Sequence, residues 1–252
     1  MLYRWIWVIL LLAVWEITVK LGKISPLILP GIEDVAAALV RDASEGRLVP
    51  QTFFSLAIIA GGMLTAFVLA LFFSFIARLH EVFEALADVL CMIAHPLPGL
   101  ALMPLIILWF GTGSSAVFVI IIHSALWPLL LNLKTGLERT PEIYTDVGKN
   151  LSMSDAAIHF EIRFRYALPY LIAGLKIGWA RSWRAFIGAE MVFGAVGAYG
   201  GLGSYILARR TFMDTAGLFA GIVIVVVIGI LVESALFRLI ENRTVRRWGM
   251  RQ

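Results

Sequence analysis

From Phe53 to Ile76 the chain carries no charged residue. A run of this kind exceeds the roughly 20 residues that a helix needs to cross the hydrocarbon core of a bilayer. Apolar runs recur at Trp5–Val19, Ala116–Leu133 and Ala216–Leu236, with Glu16 and Glu233 the only acidic or basic residues in them, and two more, Ala85–Phe110 and Pro169–Phe193, are apolar but interrupted. The chain of 252 residues is 60% hydrophobic and 15% charged, against about 45–50% and 25% for a soluble domain. The predicted fold class is therefore all-α, a polytopic membrane protein of about six transmembrane helices, with too little chain left for a separate soluble domain. The first run could be a signal peptide. Glu16 within it, and no A-x-A pattern closely following it, favour a retained span.

The third span is broken by His95-Pro96-Leu97-Pro98-Gly99 and again at Pro104. Proline removes backbone hydrogen bonds that lipid cannot replace, so a broken span suits a water-filled path or a site packed by neighbouring helices. It can equally be a tolerated kink. Between Pro30 and Pro50, alanines and aliphatics at helical spacing follow Glu33 and Asp34, which predicts a short amphipathic helix over 32–39 at the outer membrane surface. Residues 134–168 form the longest polar stretch, and within it 155–162 reads as an amphipathic helix. Such a helix can dock on a soluble partner or lie at the membrane interface.

Lys and Arg assign the sides. With both termini inside, cytoplasmic segments hold 13 of the 21 Lys and Arg residues: Arg4, Arg78, six from Lys134 to Lys176 and five from Arg238 onward. The outer segments hold 6: Lys20, Lys23, Arg41, Arg47, Arg209 and Arg210. This bias places both termini and the 134–168 loop in the cytoplasm. It also accounts for the net charge of +4 without nucleic acid.

The chemistry-bearing motifs are mostly negative. No G-x-x-x-x-G-K-[ST] is present, so no P-loop nucleotide site is expected. The histidines lack metal-ligand spacing, no Ser-His-Asp arrangement is recognisable, and neither a catalytic nor a metal site is predicted. Gly111-Thr112-Gly113-Ser114-Ser115-Ala116 matches G-x-G-x-x-A, but without the preceding strand of a dinucleotide fold. Cys91, the one cysteine, reads as a small buried hydrophobe. The positive candidates lie in the fifth span. Arg181 and Arg184, three apart, share nearly one helix face, and ionisable residues inside a span mark function by default. They would suit an anionic solute, or pair with Glu190 or Glu16. Gly174 with Gly178 and Gly217 with Gly221 give small-x-x-x-small spacing, suited to close helix packing within one chain or between two copies.

Several segments together resemble one family. These are Leu29-Pro30-Gly31, His95 through Gly113, Ala167-Leu168-Pro169 with Gly174-Leu175-Lys176, Trp183 through Ala189-Glu190-Met191, Gly201-Leu202-Gly203, and Glu241 through Trp248. They are similar to permeases of binding-protein-dependent ABC importers, in the nitrate, sulfonate and taurine branch, over about residues 29–249. The family's cytoplasmic signature, Glu-Ala-Ala, three residues, then Gly, falls without gaps on Asp146, Val147, Gly148 and Ser152. It is degenerate here: Asp stands for Glu, Val and Gly for the alanines, and Ser for Gly.

The resemblance implies an N-terminal transmembrane anchor over 1–28 and a single transmembrane domain over 29–252, with a coupling helix in the 134–168 loop between spans 4 and 5. Asp146, Val147, Gly148, Ser152, Met153 and Asp155 would face an ATPase. Arg181, Arg184, Glu190, His95, Pro96 and Pro98 would belong to the substrate pathway. Expected partners are two copies of an ATP-binding subunit, a second copy of this chain, an extracytoplasmic solute-binding protein and membrane lipid, in a bacterial inner membrane. No cofactor is expected on this chain, with ATP-Mg held by the partner subunit. An ion-gradient-driven transporter would show matched broken helices in two halves, where only one double-proline break is visible. A membrane-embedded enzyme would need acidic or histidine residues clustered at one membrane face.

Overall fold

The structure, a computed structural model, describes residues 2–22, 24–46, 48–197 and 200–244. Lys23, Arg47, the side chain of Arg4, and the tail from Val245 through Trp248 to Arg251 lie outside the described residues. All regular structure among the described residues is helical. The helices are α1 (Leu2–Lys20), α2 (Ile32–Ser44), α3 (Leu48–Ala77), α4 (Glu81–Ala94), α5 (Met103–Phe110), α6 (Ser114–Glu138), α7 (Glu142–Asn150), α8 (Asp155–Ala157), α9 (Phe164–Phe193), α10 (Leu202–Thr211), α11 (Thr215–Leu231) and α12 (Phe237–Arg243). A 3₁₀ turn over Gly99–Leu102 precedes α5, and single π segments over Ile158–Arg163 and Val232–Leu236 precede α9 and α12.

Among the described residues three helical stretches are long and apolar enough to cross a membrane: α3, α6, and the continuous Thr215–Arg243. The pair formed by α4 and Gly99–Phe110, bent by 90°, would make a fourth. The prolines explain the bend. Pro96 and Pro98 fall between the two helices, whereas Pro104 sits in the first turn of α5, where a missing N–H costs nothing. So the predicted second interruption at Pro104 is instead a helix start.

The chain divides into two compact units. One comprises Ala57–Phe186 and Gly229 onward. Its core is built from small residues: Ala66 and Ala70 of α3, Ala125, Leu129 and Leu133 of α6, and Ala167 and Leu171 of α9, with Cys91 of α4 buried against them. Glycines set the helix spacing. A Cβ on Gly62 would lie 2.4 Å from the Ile121 side chain, and one on Gly174 would lie 3.1 Å from the Pro128 carbonyl oxygen. Gly178 of α9 faces Ala125 of α6, the helix that also carries Pro128. The α9 glycine pair thus seats α9 on α6 within one chain, which removes it as a contact between copies.

The other unit comprises the chain up to Leu56 and Ile187–Ile228. Trp15 of α1 donates to the Pro30 carbonyl (2.9 Å) and packs on Phe219. The N-terminus of α2 is closed by Asp34, whose carboxylate accepts from the Gly31 N–H at 3.2 Å. Val35 and Ala38 bury against Ala220 of α11. The predicted amphipathic helix is therefore present, and runs on to Ser44. Its last turn presents Asp42, fully buried, which accepts from Tyr205, from Arg41 at 3.0 Å and from Arg209 at 2.9 Å. Arg41 and Arg209 also reach Asp214, at 3.2 and 2.9 Å. Burial opposes charge on Asp42, but these donors and cations outweigh it and hold its pKa below the ordinary value. Gly217 and Gly221 pack on Arg209, Asp214, Tyr205 and Ile206 in this unit, so they too are spent inside the chain.

The predicted helix over 155–162 does not stand alone. Its one turn at Asp155–Ala157 continues through the π segment into α9, because nothing from Ile158 to Phe164 breaks a helix. The discrete short helix of the loop is α7, started by Pro141.

Candidate functional site

A cavity of about 310 Å³ opens beside α9 in the first of these units. Its lining is His95, Pro96, Leu97, Pro98, Gly99 and Leu100 from the broken span, His123 and Ser124 from α6, and Arg181, Arg184 and Ala185 from α9. The break supplies one wall because Gly99 lets the chain approach α6: a Cβ there would lie 2.7 Å from Ser124 Oγ. Ser182 Oγ donates to the Ile121 carbonyl at 3.3 Å. This bond fixes the rotation of α9, which puts residues 181, 184 and 185 on the cavity side.

The polar atoms of the cavity are mostly donors. Arg181 Nη1 donates to the His95 carbonyl at 3.0 Å, and Nη2 lies 3.4 Å from His95 Nε2. Arg184 Nε donates to the Ala180 carbonyl at 3.0 Å and the side chain is otherwise exposed. Neither arginine is in an ion pair among the described residues, and the lining has no carboxylate. His95 Nδ1 and both ring nitrogens of His123 are buried without a hydrogen-bond partner among the described residues. Leaving such an atom unpaired costs about 1–3 kcal/mol, so the cavity favours a guest with acceptors. Its volume exceeds that of a single water severalfold.

His95, Pro96, Pro98, Arg181 and Arg184 are thus brought together, and His123 joins them. His123 belongs to no motif, and its one signal in the sequence is that of a lone histidine inside an apolar span. Glu190 is not among the cavity residues. It is fully buried and accepts from the N–H groups of Gly201 (2.6 Å) and Gly203 (3.0 Å). Ser55 Oγ accepts from the next amide, Leu202 N–H, at 2.9 Å. Together they satisfy the free donors at the start of α10, and the carboxylate meets the positive end of that helix. Gly203 is needed for this contact, since a Cβ would lie 2.5 Å from the Ile187 carbonyl oxygen.

The loop residues form a second constellation. Asp146 lies on α7 beside Lys149, 3.8 Å away. Gly148 is buried where a Cβ would press on Ile158 and Ile162. The helix ends at Ser152, whose φ of 56° is left-handed. Ser152 N–H donates to Lys149 carbonyl at 2.9 Å and Met153 N–H to Gly148 carbonyl at 3.0 Å. This is a Schellman closure, which glycine ordinarily completes, so Ser152 occupies a glycine position in conformation as well as in alignment. Ser154 then caps α8 through the Ala157 N–H, with Asp155 in the first turn. Ile143, Val147 and Leu151, four apart, form an exposed apolar stripe along this turn.

Residues 62–246 match the family described as binding-protein-dependent transport system inner membrane component. The chain belongs to this family. It is a permease, a multi-pass inner membrane protein of a transport system and not an enzyme. Over 241 residues it is 27% identical to the taurine transport system permease of Escherichia coli, covering 92% of this chain and 85% of that one. It is 29% identical over 184 residues to the nitrate import permease of Synechocystis, covering 73% and 65%. In fold it is similar to the inward-facing MetNI methionine ABC transporter, with a TM-score of 0.57 at 18% identity, over 81% of this chain and 96% of that one.

Proposed function

We propose that this permease conducts a small anionic solute through the cavity beside α9, driven by ATP hydrolysis in a separate subunit. The observation that carries the reading is the pair Arg181 and Arg184, which face one cavity without a carboxylate. A charge in a span is costly, and a passing anion offsets it. The relatives support the same chemistry: nitrate is an anion and taurine carries a sulfonate. Arg181 Nη, His123 and the His95 ring would hydrogen-bond the solute's oxygens, and Arg184, the more exposed, would attract it.

In this reading the six spans are α1, α3, the α4–α5 pair, α6, α9 and α11, with both termini cytoplasmic. Residues 1–28 anchor the chain and 29–252 form the transmembrane domain. The apolar stripe of α7, which includes Val147, with Asp146, Ser152, Met153 and Asp155 around it, docks on the ATPase, since exposed apolar residues on a short surface helix suit a groove. Two such subunits, a second copy of the permease and a solute-binding protein complete the importer, and ATP-Mg belongs to the ATPase. Arg184→Ala tests the reading in vesicles holding the assembled transporter. Losing one charge-assisted contact is expected to slow uptake about 10-fold or more at an unchanged resting ATPase rate, with Arg184→Lys intermediate. Normal uptake by Arg184→Ala would refute the role.

A further inference from the structure

A second cleft, of about 670 Å³, lies where α3 leaves its apolar run, between the end of α3, the start of α4, the end of α6 and the π segment before α9. Its lining carries Arg78, Lys134 and Arg163 with Glu81, Glu84 and Glu138. The Lys134 ammonium is shared by Glu84 (3.4 Å), Glu138 (3.6 Å) and Asp88, the last not itself a lining residue. Three carboxylates on one cation leave about two negative charges, and all three are half-exposed. Arg78 and Arg163, which feel each other's charge, are in no ion pair among the described residues. Arg78 is hydrogen-bonded to the His159 ring at Nδ1, and Arg163 Nε is buried without a partner among the described residues. Burial, then the like charge of Arg163, pull the Arg78 pKa below its ordinary value, and Asp155 opposes this only from a distance. Glu81 also borders the cleft.

Two guanidinium groups outside any ion pair, and three carboxylates that share one ammonium, call for a guest with both charges, the anion carried as tetrahedral oxygens that two guanidinium groups can share. Apolar surface adjoins the charges: Ala77, Leu79, Ala87, Leu130 and Leu137 line the cleft, and Leu79 is exposed. Arg78 directly follows the last residue of α3, a helix long and apolar enough to cross a membrane, which puts the cleft at the level of a bilayer interface. We propose that this cleft binds the headgroup of a zwitterionic phospholipid, with the phosphate on Arg78 and Arg163, the ammonium on the carboxylates around Lys134 (Glu84, Asp88 and Glu138), and the acyl chains leaving past Leu79. The lipid would tie the α3–α4 corner to the segment that joins the α7–α8 loop to α9, so that its occupancy stiffens the coupling loop.

The test is native mass spectrometry of the full chain, purified in detergent, stripped of lipid and titrated with phosphatidylethanolamine, phosphatidylglycerol or inorganic phosphate. One phosphatidylethanolamine per chain is expected, bound more tightly than phosphatidylglycerol and not displaced by millimolar phosphate. Arg78→Gln with Arg163→Gln should weaken it about 10-fold or more, at an unchanged lipid-free melting temperature, and the double Lys variant should retain most of the binding. Glu84→Gln with Asp88→Asn should erase the preference for phosphatidylethanolamine. Wild-type affinity in the double Gln variant overturns the proposal, and displacement by phosphate makes the site one for a free anion. If the double Gln variant does not fold, headgroup preference decides: a preference that survives Glu84→Gln with Asp88→Asn overturns the proposal.

Discussion

Replacing Glu190 separates a structural from a transport role. Its two carboxylate oxygens accept the amides of Gly201 and Gly203 at 2.6 and 3.0 Å in a site with no solvent access. Glu190→Ala strands both donors, at about 1–3 kcal/mol each, and leaves a void besides. The expected loss is about 3–6 kcal/mol, enough to unfold many domains. Glu190→Gln keeps the shape and one acceptor, so about 1–3 kcal/mol is expected. Ser55→Ala, which removes the acceptor for Leu202, should cost about 1 kcal/mol. The assay is denaturant unfolding of the purified permease in detergent, together with amide exchange at 202–205. The order Ala, Gln, Ser55→Ala, wild type is expected, with exchange accelerated selectively at the start of α10. If Glu190→Ala is as stable as wild type yet defective in transport, the capping role is wrong and the residue belongs to the pathway.

Ser152→Gly should stabilise the α7 closure by about 1 kcal/mol, because a side chain at φ 56° carries a penalty that glycine avoids; slower amide exchange at Met153 measures it, and no change refutes the strain. Asp42→Asn should cost about 3–5 kcal/mol at neutral pH by stranding Arg209, Arg41 and Tyr205 around a buried site. Since the folded pKa of Asp42 lies below the unfolded value of 3.8, that gap is fully present above about pH 4 and closes as pH falls through the folded value; a gap independent of pH down to acid unfolding would contradict the ion pairing. Gly174→Leu should destabilise the chain by about 1–3 kcal/mol through overpacking against the Pro128 carbonyl, by the same amount at all protein concentrations, whereas a concentration-dependent loss would place this glycine between copies.

Much of the fold was legible in the sequence where a single segment decides its own structure. The apolar runs at 53–76, 116–133 and 216–236 needed only hydropathy, and the bend after α4 needed only Pro96 and Pro98. Glu33 and Asp34 announced α2. What escaped was set by partners distant in sequence. Residues 202–211 have no clear apolar stripe, and α10 starts because Ser55 and Glu190 reach its first amides. The same contact explains why Glu190 read as a pathway residue: a buried acid in a span looks identical from the sequence whether it meets a solute or a helix end. At Ser152 the alignment flagged a missing glycine, and only the backbone angle gives the reason for one. Arg181 and Arg184 were legible as a shared face, while His123 became meaningful once Ser182 and Gly99 had fixed what α9 and the break present to it.

The most direct measurement is solute uptake into vesicles containing the permease with its ATPase and binding protein, with ATP supplied on the α7 side and ionophores present. Uptake should require ATP, survive collapse of every ion gradient, and favour a sulfonate- or nitrate-like anion over a neutral analogue of the same size. Uptake that runs on an ion gradient without ATP, or that ignores the solute's charge, would contradict an ATP-driven anion path through the cavity of Arg181 and Arg184.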